Sequence, residues 1–255
     1  MQKNHVYISS VHNQLIKHVA LLKNAPKYRK EQKLFLAEGL RVVETVLQNR
    51  LPLVHFFTTE LQLEKALALT NQHQKIIVCS DAVIKKISSS TTPAGFIGVF
   101  AQPAPSLADF KYPGIVLAQI ADPGNMGTLI RSAAAFNAKT VVVVEGVDPW
   151  SCKVVQASAG AISMVQIFQL PWQQLVEMCK QKNIQLNALV IDGTQPLQNA
   201  SSTNQLLVVG NEARGLCNEW QKDCALKTTI AMPGNTESLN VAVAGSIALY
   251  SILKI

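Results

Sequence analysis

The sequence predicts an α/β protein built from two domains. Apolar runs of strand length alternate with segments of helical periodicity, which is typical of helices that cover a parallel sheet. A proline-rich stretch at residues 101–113 interrupts this alternation, as a linker does. The charge changes at the same place: residues 1–105 carry 13 Lys and Arg against 6 Asp and Glu, whereas residues 106–255 carry 10 of each. We therefore predict a basic domain over residues 1–105 and a neutral domain over residues 106–255.

The N-terminal domain is predicted to be a small α/β unit that starts with a basic helix at about residues 13–22. Its predicted strands are Leu34–Ala37, Leu53–Thr58, Ile76–Cys79 and Phe96–Ala101. Its other predicted helices span residues 40–49, 60–71 and 81–88. A charge run at Lys23–Lys33 is often only a solvated face, but clustered Lys and Arg are also what phosphate neutralisation requires. The candidate nucleic-acid contacts in this domain are Lys27, Arg29, Lys30 and Arg41.

The C-terminal domain alternates more clearly, which predicts a parallel sheet covered on both faces. Its predicted strands are Ile115–Ile120, Thr140–Val144, Val165–Leu170, Gln185–Ile191, Leu206–Val209 and Thr228–Met232. Its predicted helices span residues 128–136, 151–162, 172–182, 218–223 and 239–253.

Composition excludes several classes of protein. With 48% hydrophobic and 15% charged residues, the chain is not a disordered one. No apolar run reaches the roughly 18 residues of a membrane span, and the polar start argues against a secretory signal. The five cysteines are scattered without a Cys-x-x-Cys pair, which favours reduced thiols in a cytoplasmic protein. All five histidines lie in residues 1–105 with a single cysteine, so we expect no metal site, and no histidine-based triad in the C-terminal domain.

Three polar, glycine-containing loops follow predicted strands of the C-terminal domain: Asp122–Arg131, Val208–Leu216 and Ile230–Asn240. Each alone also fits helix capping or an ordinary turn. The first loop has neither a Walker phosphate-loop ending nor a Gly-x-Gly-x-x-Gly pattern. Because ligands bind at the carboxyl ends of parallel strands, we expect the polar side chains of the three loops at one sheet edge. These side chains are Asn125, Arg131, Glu212, Ser238 and Asn240.

The three loops resemble, in order and spacing, the three motifs of SpoU/TrmH-type RNA ribose 2′-O-methyltransferases of the SPOUT (α/β-knot) superfamily. The matching segments are Asp122-Pro-Gly-Asn-Met-Gly-Thr with Arg131, Gly210-Asn-Glu-Ala-Arg-Gly-Leu216 and Met232-Pro-Gly-Asn-Thr-Glu-Ser-Leu-Asn240. A looser resemblance to the substrate-binding domain of that family, a ribosomal-protein-like α/β fold, lies in Ile8–Lys17, Ala37–Glu44 and Thr92–Phe96. Ala213 and Asn235-Thr236 depart from the family's more glycine-like residues.

The resemblance implies a deep trefoil knot near the C-terminus, a homodimer, and S-adenosylmethionine as methyl donor. It places the donor against Gly210, Asn211, Ile230, Met232 and Leu239. A donor without phosphates needs apolar walls and backbone hydrogen bonds rather than a phosphate loop.

The resemblance also implies catalytic roles for the five polar side chains of the loops. Arg131 acts on the ribose hydroxyl, Asn125 positions the first loop, and Glu212, Ser238 and Asn240 complete the site. Arginine stays protonated in proteins. Arg131 is therefore either a base perturbed by nearby phosphate or a cation that stabilises the developing alkoxide, and we favour the second role.

Three functions remain open at this point. The two-domain build with a basic front resembles the members that act on ribosomal RNA more than the short members that act on tRNA. The alternatives are a tRNA ribose methyltransferase and a non-catalytic RNA-binding or ribosome-assembly factor on the same scaffold.

Overall fold

The structure, a computed structural model, describes residues 5–70, 76–197, 204–234 and 236–253, so Asn235 of the third motif lies outside the described residues. The chain forms two compact units. Unit 1 combines the chain up to Pro103 with Trp150–Ser163. Unit 2 combines Ala104–Pro149 with the chain from Met164 onward.

Unit 1 contains, among the described residues, a sheet of order β1-β4-β3-β5-β2, in which β5 runs antiparallel to both β3 and β2 and the other pairs are parallel. Its strands are β1 (Val6–Ile8), β2 (Leu34–Glu38), β3 (Leu53–Thr58), β4 (Ile76–Cys79) and β5 (Phe96–Ala101). Its helices are α1 (Gln14–Asn24), α2 (Pro26–Gln32), α3 (Leu40–Gln48), α4 (Leu63–Leu69), α5 (Asp81–Ile87) and α7 (Cys152–Ala157).

The sequence did not predict two elements of unit 1. Strand β1 is only three residues long, with two of them exposed, so it carries no readable alternation. Helix α2 lies inside the charge run Lys23–Lys33, where the sequence predicted no helix. Pro26 starts α2 at a position where its missing N–H costs nothing, and Lys33 ends it in the left-handed conformation at φ 52°.

The segment Trp150–Ser163 corrects the predicted domain organisation. The sequence assigned it to residues 106–255, but it packs with unit 1. The Trp150 ring lies 4.9 Å from the Phe35 ring, and Cys152 joins the core cluster of this unit. The predicted helix over 151–162 is also too long, because Ala159 and Gly160 adopt positive φ angles and α7 ends at Ala157. Periodicity shows that a segment has a buried face but not which core receives it.

Unit 2 contains, among the described residues, a seven-stranded parallel sheet of order β10-β12-β9-β11-β6-β7-β8. Its strands are β6 (Gly114–Ala118), β7 (Thr140–Val144), β8 (Gln166–Gln169), β9 (Gln185–Leu189), β10 (Gln195–Pro196), β11 (Gln205–Val209) and β12 (Leu226–Thr229). Its helices are α6 (Pro123–Ala135), α8 (Trp172–Gln181), α9 (Asn218–Lys222) and α10 (Val241–Leu253). The predicted α/β class and parallel sheet are confirmed, whereas the knot stays a prediction.

Several strands of unit 2 end earlier than predicted. Strand β6 ends at Ala118, because Gln119 adopts a left-handed φ of 58°. Strand β9 ends at Leu189, and β12 spans Leu226–Thr229 instead of the predicted Thr228–Met232. These shorter strands leave residues 190–192 and 230–232 to form loops at the carboxyl edge of the sheet.

A chain of buried polar side chains crosses three neighbouring strands of unit 2. Asn187 on β9 donates from Nδ2 to Gln205 Oε1 on β11 at 2.8 Å. Thr228 on β12 donates from Oγ1 to Asn187 Oδ1 at 3.0 Å. All three residues are buried in an otherwise apolar sheet. The desolvation cost of their polar groups is therefore offset only while the strands keep this alignment.

Candidate active site

Glu212 links the loop after β11 to the loop after β6. Its carboxylate accepts hydrogen bonds from the backbone N–H groups of Ala121 and Asp122, both at 3.0 Å, and from Asn125 Nδ2 at 3.1 Å. The two loops are thus joined across adjacent parallel strands at the carboxyl edge of the sheet. The predicted meeting of Asn125 and Glu212 at one edge is observed.

These contacts also shift the pKa of Glu212. Partial burial of the carboxyl group raises its pKa, but the hydrogen bonds from Asp122 and Ala121, together with that from Asn125, outweigh this effect. The pKa of Glu212 therefore lies below its usual value, and the group is a carboxylate across the neutral range.

Asn240 joins the third loop to the same network. It donates from Nδ2 to Asn125 Oδ1 at 3.0 Å. Its Oδ1 accepts from the N–H groups of Ala242 and Val243 at 2.9 and 3.2 Å, and so caps the start of α10. The Asn240 side chain therefore caps α10 and also links the third loop to the first. In the first loop the cap of α6 is Asp122, whose Oδ1 accepts from Asn125 N at 2.8 Å.

The loop after β11 folds back on itself. Asn211 and Gly215 exchange two backbone hydrogen bonds, and Asn211 Oδ1 accepts from the N–H groups of Ala213 and Arg214. A side chain at Gly210 would come within 2.4 Å of the backbone of Gly215, so only glycine fits there. Asn211 also donates from Nδ2 to the carbonyl of Gln119 at 2.9 Å, which fixes the turn to the end of β6.

Arg131 stands apart from this network. It lies on α6, about one and a half turns beyond Asn125, with an exposed side chain. Across the described residues it makes no recorded hydrogen bond or ion pair, and it does not line the adjacent cavity. The guanidinium is therefore available to a substrate that approaches from solvent.

A cavity of about 360 Å³ opens at the carboxyl ends of β9, β11 and β12, within the usual range of ligand pockets. All five residues predicted to hold the donor line it, and so do Glu212 and Ser238. Asn125, Arg131 and Asn240 do not line it. The other lining residues, to which the sequence analysis assigned no site role, are Leu189, Val190, Ile191, Asp192, Val209, Ala213, Arg214, Gly215, Leu216, Gln221, Thr229, Val241 and Ala244.

Two groups of lining residues, besides Gln221 and Thr229, lie outside the three predicted loops. Leu189 ends β9 and Val190–Asp192 follow it, in a loop that contains no glycine before Gly193. Val241 and Ala244 lie on α10, where small apolar residues fit core packing equally well. The useful signal would have been the true end of β9, since that places residues 190–192 at the same edge as the three loops.

Three of the four predicted RNA contacts in unit 1 are exposed: Lys27 and Lys30 on α2, and Arg41 on α3. The prediction for Arg29 is wrong. Its side chain is only 3% exposed, and Nη1 donates to the carbonyls of Leu22 and Lys23 at 2.6 and 2.9 Å. A helix that packs on the sheet must bury one face, and in α2 that face carries Arg29, which satisfies the last carbonyls of α1.

No group of three or more potential metal ligands occurs within the described ranges. In the same part of the chain, no helix is both long enough and apolar enough to cross a membrane.

Comparisons with known proteins find matches to two segments of the chain. Residues 113–250 match the SpoU rRNA Methylase family, and residues 13–98 match the MRM3-like substrate binding domain. An uncharacterized tRNA/rRNA methyltransferase of Synechocystis is 31% identical, covering 95% of this chain and 92% of the relative. The Bacillus subtilis 23S rRNA (guanosine(2553)-2′-O)-methyltransferase RlmP is 26% identical, covering 96% and 98%.

Solved structures agree with these matches. The crystal structure of an AdoMet-bound rRNA methyltransferase from Sinorhizobium meliloti superposes with a TM-score of 0.85 at 26% identity and covers 97% of each chain.

Proposed function

Since this chain belongs to the SpoU rRNA methylase family, we propose that it transfers the methyl group of S-adenosylmethionine to a ribose 2′-hydroxyl of ribosomal RNA. The observation that supports this most strongly is the joining of Asn125, Glu212 and Asn240 beside a cavity lined by the five predicted donor-binding residues. The full-length relative from Bacillus subtilis, a 23S rRNA 2′-O-methyltransferase, supports the choice of RNA and of the atom methylated.

The cavity residues fit the proposed donor. Ile230, Met232 and Leu239 offer apolar surface for an adenine ring, and the backbone groups of Gly210 and its neighbours offer hydrogen bonds. The donor carries a sulfonium and an ammonium group. Asp192 and Glu212 are acidic residues that line the cavity, and their negative charge favours such a cation over a neutral nucleoside.

When bound, S-adenosylmethionine supplies a methyl group on positively charged sulfur, ready for direct displacement. The residues of this chain prepare the acceptor. Arg131 would lie against the ribose 2′-oxygen as a permanent cation and stabilise the negative charge that develops there as the hydroxyl proton passes to solvent water. Asn125 and Asn240 hold the first and third loops in register, and Glu212 fixes the distance between the cavity and α6. Ser238 lines the cavity next to Leu239, where its hydroxyl can contact the donor.

The proposed RNA-binding domain is residues 1–105, and the proposed methyltransferase domain is residues 106–255 apart from Trp150–Ser163, which pack with unit 1. The match of residues 13–98 to a substrate binding domain and the exposed Lys27, Lys30 and Arg41 support the first assignment. The trefoil knot near the C-terminus and a cytoplasmic location remain part of the proposal on the basis of the family.

A homodimer is also part of the proposal. Helix α10 buries Ala242, Gly245 and Ala248, while its other face exposes Val243, Ile247 and Tyr250 at helical spacing. An exposed apolar stripe of this kind favours a partner surface.

The experiment that tests the function combines two measurements. Calorimetry with S-adenosylhomocysteine tests the cavity, and methyl transfer to purified ribosomal RNA and tRNA, followed by mass-spectrometric mapping of methylated riboses, tests the reaction. We expect binding, and methylation of ribosomal RNA at one ribose. Methylation of tRNA alone would support the alternative tRNA activity. RNA binding without affinity for S-adenosylhomocysteine would support a non-catalytic assembly factor.

A further inference from the structure

The proposed reaction leaves one pair of polar side chains at the same sheet edge without a role. Gln119 directly follows β6, and Glu145 directly follows the neighbouring strand β7. Gln119 donates from Nε2 to Glu145 Oε2 at 2.6 Å. Glu145 is exposed and Gln119 is half-buried, so the pair faces solvent next to the loop network.

Both residues are held in an unusual backbone conformation. Gln119 has a φ of 58° and Glu145 a φ of 60°, the left-handed region that residues with side chains seldom adopt. Such strain persists only where the surroundings fix it, and it is concentrated at functional sites.

The surroundings of the pair are rigid. The backbone of Gln119 donates to the carbonyl of Val144 at 2.8 Å and accepts from Asn211 Nδ2 at 2.9 Å. Next to Glu145, a side chain at Gly146 would come within 2.4 Å of the carbonyl of Ile120. These contacts fix the backbone from which the Gln119 side chain projects and leave no room for a side chain at Gly146, next to Glu145.

The order of features along the sheet edge places the pair on the side of the methyl acceptor. The donor cavity lies at β12, β9 and β11, and the network of Asn125, Glu212 and Asn240 lies between β11 and β6. Gln119 and Glu145 lie beyond that network, at β6 and β7. A direct displacement needs the ribose beside the donor, so the base attached to that ribose extends away from the cavity.

We propose that Gln119 and Glu145 recognise the base of the target nucleotide and select guanine; this rests on the function proposed above. Bases of single-stranded RNA are commonly splayed out of the stack and recognised through their Watson–Crick edges. Guanine presents two adjacent donors there, N1–H and the N2 amino group, which match the carboxylate of Glu145. Gln119 keeps a second N–H, since the first is bound to Glu145, and this N–H can donate to O6 of guanine.

The other bases fit this pair less well. Uracil offers one donor flanked by two acceptor oxygens, and cytosine offers its N3 and O2 acceptors beside the amino group. Adenine lacks a donor at N1. In each case the carboxylate of Glu145 faces an acceptor or only a single donor. A carboxylate oxygen that the bound base shields from water and leaves without a donor is costly.

The test uses the full chain, S-adenosylmethionine and unmodified Bacillus subtilis 16S and 23S rRNA transcripts. The methylated RNA is digested to nucleosides and analysed by mass spectrometry, which we expect to detect 2′-O-methylguanosine. A synthetic oligonucleotide that spans the mapped site is then made with guanosine or with inosine, which lacks the N2 amino group.

We expect Glu145→Gln to lower kcat/KM on the guanosine oligonucleotide by about tenfold or more, the effect of losing a bidentate base contact. Replacing the guanosine with inosine should lower kcat/KM of the wild-type chain by a similar factor and kcat/KM of Glu145→Gln much less. Affinity for S-adenosylhomocysteine should not change, since Glu145 does not line the cavity. Glu177→Gln is the matched control, because the exposed Glu177 on α8 accepts from Gln181 Nε2 at 3.0 Å in the same kind of pair. Gln119→Leu provides a second variant if Glu145→Gln unfolds.

Each outcome supports or overturns guanine selection. Methylation of a uridine, cytidine or adenosine, or a Glu145→Gln variant as active as Glu177→Gln, overturns guanine selection and leaves the methyltransferase activity standing. Absence of methylation on both transcripts overturns the proposed function, and guanine selection with it.

Discussion

Glu212 shows how much of the site depends on one side chain. It accepts two backbone N–H groups and one side-chain N–H from the first loop. Glu212→Gln places an N–H where one of these donors needs an acceptor, so we expect the free energy of unfolding to fall by about 1 kcal/mol. Affinity for S-adenosylhomocysteine should fall as well, because Glu212 lines the cavity. Urea unfolding and calorimetry measure the two effects.

The stability contributed by Glu212 should also depend on pH. Because its pKa is lower in the folded chain than its ordinary value of about 4.3, this contribution is complete above that value and is lost as the pH falls through the lower, folded pKa. The difference in free energy of unfolding between wild type and Glu212→Gln should therefore stay constant between about pH 7 and pH 5 and shrink below about pH 4. A difference that persists at acid pH would show that the hydrogen bonds do not require the carboxylate.

Arg131 offers the clearest catalytic prediction. It lies outside the cavity, so Arg131→Ala should leave affinity for S-adenosylhomocysteine unchanged while it lowers the rate of methyl transfer by roughly 100-fold, as the loss of one transition-state donor does. Arg131→Lys keeps the charge but loses the planar fork. Single-turnover kinetics compare the three chains, and a lysine variant with nearly full rate would exclude a specific guanidinium role.

At the scale of secondary-structure elements, helix α2 carries one buried structural arginine and two exposed lysines, although the sequence predicted RNA contact for all three. Arg29 satisfies carbonyls at the end of α1, so Arg29→Ala should lower the free energy of unfolding by about 1–3 kcal/mol. Lys27→Ala and Lys30→Ala, which change exposed positions on the same helix, should instead weaken RNA binding and reduce its salt dependence. Thermal unfolding measures the loss of stability, and RNA-binding titrations at several salt concentrations measure the loss of affinity. Equal destabilisation by Lys27→Ala would contradict this division.

The elements also show where sequence patterns suffice and where they do not. Apolar runs located every strand of four or more residues in the described part of the chain, although β12 only at Thr228–Thr229, because a strand buried on both faces is mostly apolar. The three loops were found because Asn125, Glu212 and Asn240 follow strands that run in parallel. The end of β6 was misplaced, since a strand can stop at a left-handed residue such as Gln119 without a glycine or proline to mark it. The end of β9 was also placed too late, because the apolar run continues past Leu189, and Asp192 was therefore missed although it lines the cavity.

At the scale of the whole molecule, the packing of Trp150–Ser163 with unit 1 changes the result expected of a truncation. Removing residues 1–103 takes away the core that buries Trp150 and Cys152. We expect the remaining chain to lose RNA methylation, but also to bind a hydrophobic dye and to unfold at a lower temperature than the intact protein. A truncated chain that is soluble and free of dye binding would show that Trp150–Ser163 does not depend on unit 1.

The proposed homodimer gives a prediction at the same scale. Ile247→Asp places a charge in the exposed apolar stripe of α10 and should convert a dimer to a monomer in sedimentation experiments. Lys222→Asp, on the exposed surface of α9, is a control for the added negative charge. A wild-type chain that sediments as a monomer at micromolar concentration would contradict the proposed dimer.

The buried chain of Asn187, Gln205 and Thr228 has a consequence for how the sheet reaches a single structure. Strands rich in valine and leucine can pair in several alignments, because one apolar side chain replaces another at little cost. A slip by one residue turns every side chain of a strand to the opposite face. In β9 such a slip would separate Asn187 from Gln205 and Thr228 and leave all three groups without partners away from water. These three residues thus penalise misaligned intermediates during folding, and they do so on the same strands whose ends form the donor cavity.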